Sequence, residues 1–209
     1  MTAAFADRLI EAVRRKAARR VPSTSARIAE VKRQARAAIE KVQPQLAYLD
    51  VIRAVLPRDG ILVGELSQVG FTSYFGYEVL EPRTYVSEGH QGTLGFGFPS
   101  ALGVKAAHPR RPVVSITGDG GFMFAMPELA TAMQEGIAVV TLLFNNRSYG
   151  NVLRDQHERF ADRVIGARLS NPDFMLLARA FGIEGHRVAS PEALRPVLTA
   201  ALVSLVKQV

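Results

Sequence analysis

Four short apolar runs separated by helix-like stretches constrain this chain more than any other feature. They are "GILVGE" at 60–65, "RTYVSEG" at 83–89, "RPVVSIT" at 111–117 and "IAVVTLLF" at 137–144. Each reads as a strand, and the last is a near-continuous apolar run of the kind found in parallel strands covered on both faces. Between and after them the spacing predicts helices at 45–56, at about 97–108 behind a glycine-rich loop, at 126–136, at 171–182 and at 190–205. Pro127 falls near the start of the third of these and Gly136 just past its end, the usual helix punctuation. "HRVA" at 186–189 reads as a further short strand. Strand–helix alternation predicts an α/β fold: a doubly wound parallel sheet with helices on both faces.

Upstream of the alternation lies a helical arm. Residues 4–20 and 25–42 carry apolar residues at helical spacing, and Pro22-Ser23-Thr24-Ser25 breaks the two and offers N-caps. We divide the chain into a basic arm at 1–45 and a sheet domain at 46–209. The division is electrostatic as well. The net charge of +7 arises within residues 1–45, where eleven Lys/Arg face four Asp/Glu; the remainder holds fifteen of each. A basic helix face without interleaved aromatic residues is ordinarily a solvated surface, so we expect no nucleic-acid partner. No run approaches the ~20 apolar residues that span a bilayer, so we expect no membrane partner. With no cysteine, disulfides and thiolate metal sites are excluded. The N-terminal apolar segment is broken by Asp7 and Arg8, unlike a secretory leader, so a cytoplasmic location is expected.

Strand ends carry the chemistry of such sheets. Gly118-Asp119-Gly120 follows the third apolar run and Asn145-Asn146 follows the fourth, so Asp119 and Asn146 are expected to converge. One carboxylate and one amide oxygen suit magnesium, which takes its remaining ligands from phosphate and water. Gly118, Gly120 and Gly121 let backbone N–H groups approach an anion. Read separately, Asp-Gly is a turn and Asn-Asn a loop. A dinucleotide reading is also open: Gly95, Gly97 and Ser100 approximate that fingerprint, with Asp119 at a later strand end. That fingerprint lacks its third glycine and leaves Asn145-Asn146 unused.

The spacing of Gly-Asp-Gly, 24 residues and Asn-Asn resembles the cofactor signature of the thiamine-diphosphate-dependent enzymes. From about residue 44 to 200 the chain is most similar to the acetolactate synthase branch, with its related 2-oxo-acid decarboxylases and carboligases. The resemblance implies thiamine diphosphate and Mg²⁺ as cofactors. Asp119 and Asn146 would bind the metal by side chain and Ser148 by its main-chain oxygen. Gly118, Gly120, Gly121 and Ser148, Tyr149, Gly150 and Asn151 would line the diphosphate. "GHQGTLGFGFP" resembles the stretch in which Gly92 accepts from the cofactor's amino group, followed by Thr93, and Leu94 wedges its two rings together. Gln68 of "GELSQVG" would meet the diphosphate from the other side. Val69 stands where synthases often carry a polar residue. His90, where Gly is frequent, reads either as an acid/base near the reacting carbon or as a structural or surface histidine.

The same resemblance implies an incomplete site. Family members need a second domain whose glutamate activates the pyrimidine, and no second sheet precedes residue 50. The arm resembles the end of the family's middle domain, and the last residues stop where the family continues with another strand. Three expectations follow. The substrate of the complete enzyme is a 2-oxo acid. A pyrimidine-domain chain or full-length subunit completes the site, in a homo- or hetero-oligomer. The chain alone is inactive. The alternative is a non-catalytic remnant that folds and binds cofactor.

Overall fold

The computed structural model describes residues 3–17 and 24–207. They fall into two compact units, one ending at Ala38 and one beginning at Ile39. The first unit holds α1 (Ala3–Ala17) and all but the last residue of α2 (Thr24–Ile39). The expected break at Pro22 and Ser23, and the expected helix end at 18–20, lie outside the described residues. Arg15 pairs with Glu11 one turn away at 3.2 Å, a surface contact of little energetic weight.

The second unit runs α3 (Gln45–Val55), β1 (Ile61–Val63), α4 (Gln68–Gly76), β2 (Tyr85–Val86), α5 (Gly97–Ala107), β3 (Val113–Gly118), α6 (Asp119–Ala125), α7 (Glu128–Gln134), β4 (Val140–Phe144), α8 (Gly150–Arg159), α9 (Phe174–Ala180) and α10 (Pro191–Lys207). The four strands form one sheet in the order β2-β1-β3-β4, and every pairing is parallel. Two layers of helix cover it. Leu62, Val114 and Ile116 point to one face, into a core with Leu49 and Ile52 of α3 and Leu194 and Leu198 of α10. Ile61, Val63 and Val113 point to the other, against Ala101 and Val104 of α5. Alternate residues therefore face two apolar layers, which is why β1 is apolar throughout and β3 admits only the small polar residues Ser115 and Thr117 among its buried positions. Each fully buried Leu, Ile or Val in these layers contributes roughly 1.5–3 kcal/mol.

Three features depart from the sequence reading. β4 is half-buried along its whole length, because it forms an edge of the described sheet while its two faces still pack apolar residues. "HRVA" forms no strand; 183–189 has no regular structure. The glycine- and aromatic-rich stretch after β1 is a helix, α4, capped by Ser67, whose hydroxyl accepts from the Gly70 amide at 3.0 Å. A Cβ at Gly70 would lie 1.8 Å from the Glu65 carbonyl oxygen, so the glycine permits α4 to start directly against the end of β1.

Candidate functional site

The C-terminal ends of β1, β3 and β4 open onto one edge, as parallel pairing requires. Beyond β3 the chain turns straight into α6 with Asp119 as its first residue and only 2 % exposed. The Gly-Asp-Gly segment is thus a strand-to-helix junction rather than an isolated turn. A buried carboxylate needs partners. Asp119 finds one in Asn171, whose Nδ2 donates to Asp119 Oδ2 at 2.6 Å and to Asn145 Oδ1 at 2.9 Å. One amide group therefore ties the end of β3 to the end of β4.

After β4 the backbone makes a tight reversal. Asn145 Oδ1 accepts from the Arg147 amide at 3.2 Å, Asn146 Oδ1 accepts from the Ser148 amide at 3.1 Å, and Arg147 is left-handed with φ 57°. Residues 147–149 are then clamped to 167–169. Tyr149 N–H donates to Ala167 O at 2.9 Å and Leu169 N–H donates to Arg147 O at 2.8 Å, flanking an antiparallel bridge between Ser148 and Arg168. Those ladder bonds belong to residues 147 and 149, so the main-chain oxygen of Ser148 is not consumed by them.

The remaining predicted residues fall into two groups. Gln68, Asn146, Tyr149, Gly150, Asn151 and Gly120 surround the same edge. Gln68 Nε2 donates to Asn151 Oδ1 at 2.8 Å. A Cβ at Gly150 would lie 3.0 Å from both Asn146 Nδ2 and Gln68 Nε2. The Tyr149 ring lies against Gly120, where an added Cβ would sit 2.5 Å from it. Gly118 is buried at the β3 terminus and faces Ser67; Gly121 is buried behind it against Glu65. Gly92, Thr93 and Leu94 form the second group, on the loop before α5. Gly92 is left-handed with φ 60° and abuts Leu66, Thr93 is exposed and Leu94 is half-buried. His90 is exposed on the preceding turn and hydrogen-bonds to no described residue. Val69 is buried in the α3 core, where a polar side chain would be unpaired.

Asn171 was not singled out by sequence reasoning. It lies 26 residues from Asn145 and 52 from Asp119, and no local pattern marks such a contact. Its only signal is position, two residues before Asp173, which caps α9 by accepting from the Met175 amide at 2.8 Å. Among the described residues, no three acidic, His or Cys side chains come together so as to hold a metal ion. The donor set at this edge is one carboxylate, one amide oxygen and one free main-chain oxygen. That set fits a hard cation that shares phosphate oxygens; the space a side chain would take at Gly120 and Gly121 is filled by Tyr149 and Glu65.

Residues 66–208 match the C-terminal TPP binding domain of the thiamine pyrophosphate enzymes. The acetolactate synthase large subunit of Haemophilus influenzae is 42% identical over 161 residues, 77% of this chain and 28% of that protein. A probable 2-ketoarginine decarboxylase of Pseudomonas aeruginosa is 37% identical over 160 residues, 76% of this chain and 28% of its own length. Among solved structures, the thiamine diphosphate-dependent 4-hydroxybenzoylformate decarboxylase of Rhodococcus jostii RHA1 superposes with a TM-score of 0.70 at 28% identity, covering 77% of this chain and 30% of that one. The chain thus spans less than a third of the length of these relatives. It belongs to the thiamine pyrophosphate enzyme family, in its acetolactate synthase-like and decarboxylase branch, as the C-terminal TPP-binding domain.

Proposed function

We propose that this chain binds the diphosphate end of thiamine diphosphate through Mg²⁺ and serves as one half of a 2-oxo-acid decarboxylase or carboligase. The observation that carries the reading is the Asn171 amide, which holds the buried Asp119 carboxylate beside the Asn145–Ser148 reversal. Asp119 supplies the one negative charge, and Asn146 Oδ1 and the Ser148 carbonyl complete the protein's share of the metal shell. Gly120 and Gly121, flat against Tyr149 and Glu65, bring backbone close to the phosphates. Gln68, steered by Asn151, closes the opposite wall. In this reading Gly92 and Leu94 receive the pyrimidine and hold the two rings folded. When bound, the cofactor supplies a carbon nucleophile for the 2-oxo group, which no side chain can.

The reading also requires a second chain or domain to engage the pyrimidine. Its support is the span of under a third of the relatives' length and the exposed aromatics on α4 and α6, where Phe75 is 75% and Phe124 64% exposed. Glu65 is buried within the diphosphate half and Glu88 lies at the end of β2, so neither replaces a carboxylate at the far side of the pyrimidine. The test is carbon dioxide and acetolactate release from pyruvate with magnesium and excess cofactor. The chain alone is expected to give no turnover, and turnover is expected on adding a pyrimidine-domain chain. Robust turnover by the purified chain alone would overturn the two-part reading.

A further inference from the structure

Glu65 is the most deeply buried acidic residue among the described residues, 1 % exposed at the end of β1. Nothing in the cofactor reading uses it. A carboxyl group in such a place is costly unless its oxygens are hydrogen-bonded. Its oxygens are taken by two different parts of the site. Oε1 accepts from the Gly95 amide, on the loop that carries Gly92 and Leu94, and Oε2 accepts from the Thr117 hydroxyl, near the end of β3. The Gly97 amide also points at it. Glycines make the space: a Cβ at Gly97 would lie 2.8 Å from Glu65 Cβ, and one at Gly121 would lie 2.4 Å from Oε1. The loop before α5, the β3 terminus and the first turn of α6 thus close around one carboxyl group.

We infer that Glu65 is a positioning residue that locks the 92–97 loop to the β3–α6 junction, so that the pyrimidine-side loop and the Asp119 side are held in one fixed geometry. The inference rests on the cofactor reading for its consequence, though not for the contact itself. Glu65 is too buried to touch a substrate, so its role is not catalytic. An apolar residue of similar size would leave the Gly95 amide and the Thr117 hydroxyl without their partner. Glutamine would not. Its oxygen can accept from Gly95 while its amide donates to Thr117, whose hydroxyl can turn to the Gly118 carbonyl already 3.2 Å away.

The experiment compares the full chain with Glu65→Ala and Glu65→Gln by amide hydrogen exchange and by titration with thiamine diphosphate and magnesium. Glu65→Ala is expected to speed exchange across 92–97 on the order of tenfold to a hundredfold, as for loss of a charge-assisted bond, with α3 and α10 unchanged. It is expected to weaken cofactor binding, and Glu65→Gln to restore both. Unchanged exchange at 92–97 in Glu65→Ala overturns the inference, as does Glu65→Gln behaving like Glu65→Ala. If Glu65→Ala loosens the whole fold, Glu65→Gln decides: protected 92–97 supports the lock and unprotected 92–97 overturns it. Absence of cofactor binding by the wild-type chain with its partner domain would count against the proposed function instead, while the exchange result still judges Glu65.

Discussion

Replacing Asn171 by alanine removes two contacts at once, the 2.6 Å bond to Asp119 and the 2.9 Å bond to Asn145. A hydrogen bond to a charged group is worth roughly 1.5–3 kcal/mol and a neutral one about 1 kcal/mol. Asn171 is half-buried, so water replaces part of both. The net loss should be about 1.5–3 kcal/mol, which is roughly ten- to a hundredfold in affinity, the range found when groups that orient a metal ligand are removed. The loss should fall on binding rather than on folding, because β3 and β4 remain paired over five residue pairs. Calorimetric titration of magnesium and thiamine diphosphate reads the first quantity, and urea unfolding reads the second. Unchanged affinity in Asn171→Ala, or a weakening accounted for entirely by unfolding, would mean that Asn171 does not orient Asp119 for the metal.

Gly120→Ala should lower the thermal midpoint, because its Cβ would meet the Tyr149 ring at 2.5 Å and Leu169 at 3.2 Å; overpacking of this kind costs about 1–3 kcal/mol, and an unchanged midpoint would show that Tyr149 moves freely. Ile116→Ala at the centre of β3, fully buried, should cost about 2–5 kcal/mol in urea unfolding, and a cost near zero would contradict the described core. Burial, with a smaller contribution from the Glu88 charge, pushes the Glu65 carboxyl above the usual carboxylate range, against the opposing hydrogen bonds of Thr117, Gly95 and Gly97. The native state therefore holds that proton more tightly than the unfolded state, so wild-type stability should fall as pH rises from the ordinary value of 4.5 through the raised one. Glu65→Gln lacks this dependence, so its stability relative to wild type should rise between pH 4.5 and neutrality; a pH-independent difference would count against it.

The strands most legible in the sequence were those with apolar residues on both faces. β1 and β3 announce themselves because Ile61, Leu62, Val63 and Val113, Val114 alternate between two apolar layers. α4 was hidden because glycine and aromatics are weak helix formers; its helicity comes from the Ser67 cap and from Gly70 and Gly76, which let it pack against β1 and Leu46. α8 was hidden for the opposite reason. "GNVLRDQHER" buries no residue and so shows no apolar stripe. "HRVA" shows that four residues of strand-like composition do not make a strand without a partner. At the site, strand ends locate Asp119 and Asn146 from local pattern alone. Asn171 and Glu65 reach their partners across 26 to 52 residues of chain, a relation only the fold creates.

In the proposed site the carboxylate of Asp119 holds a magnesium-bridged diphosphate. That role is tested most directly by titrating thiamine diphosphate into the chain, together with a pyrimidine-domain chain, with magnesium and with chelator, for wild type and for Asp119→Asn, which keeps the side chain's size and removes its charge. Wild type is expected to bind saturably in a magnesium-dependent way, and Asp119→Asn to lose that binding. Equal affinity in the two proteins, or wild-type binding indifferent to chelator, would contradict that role.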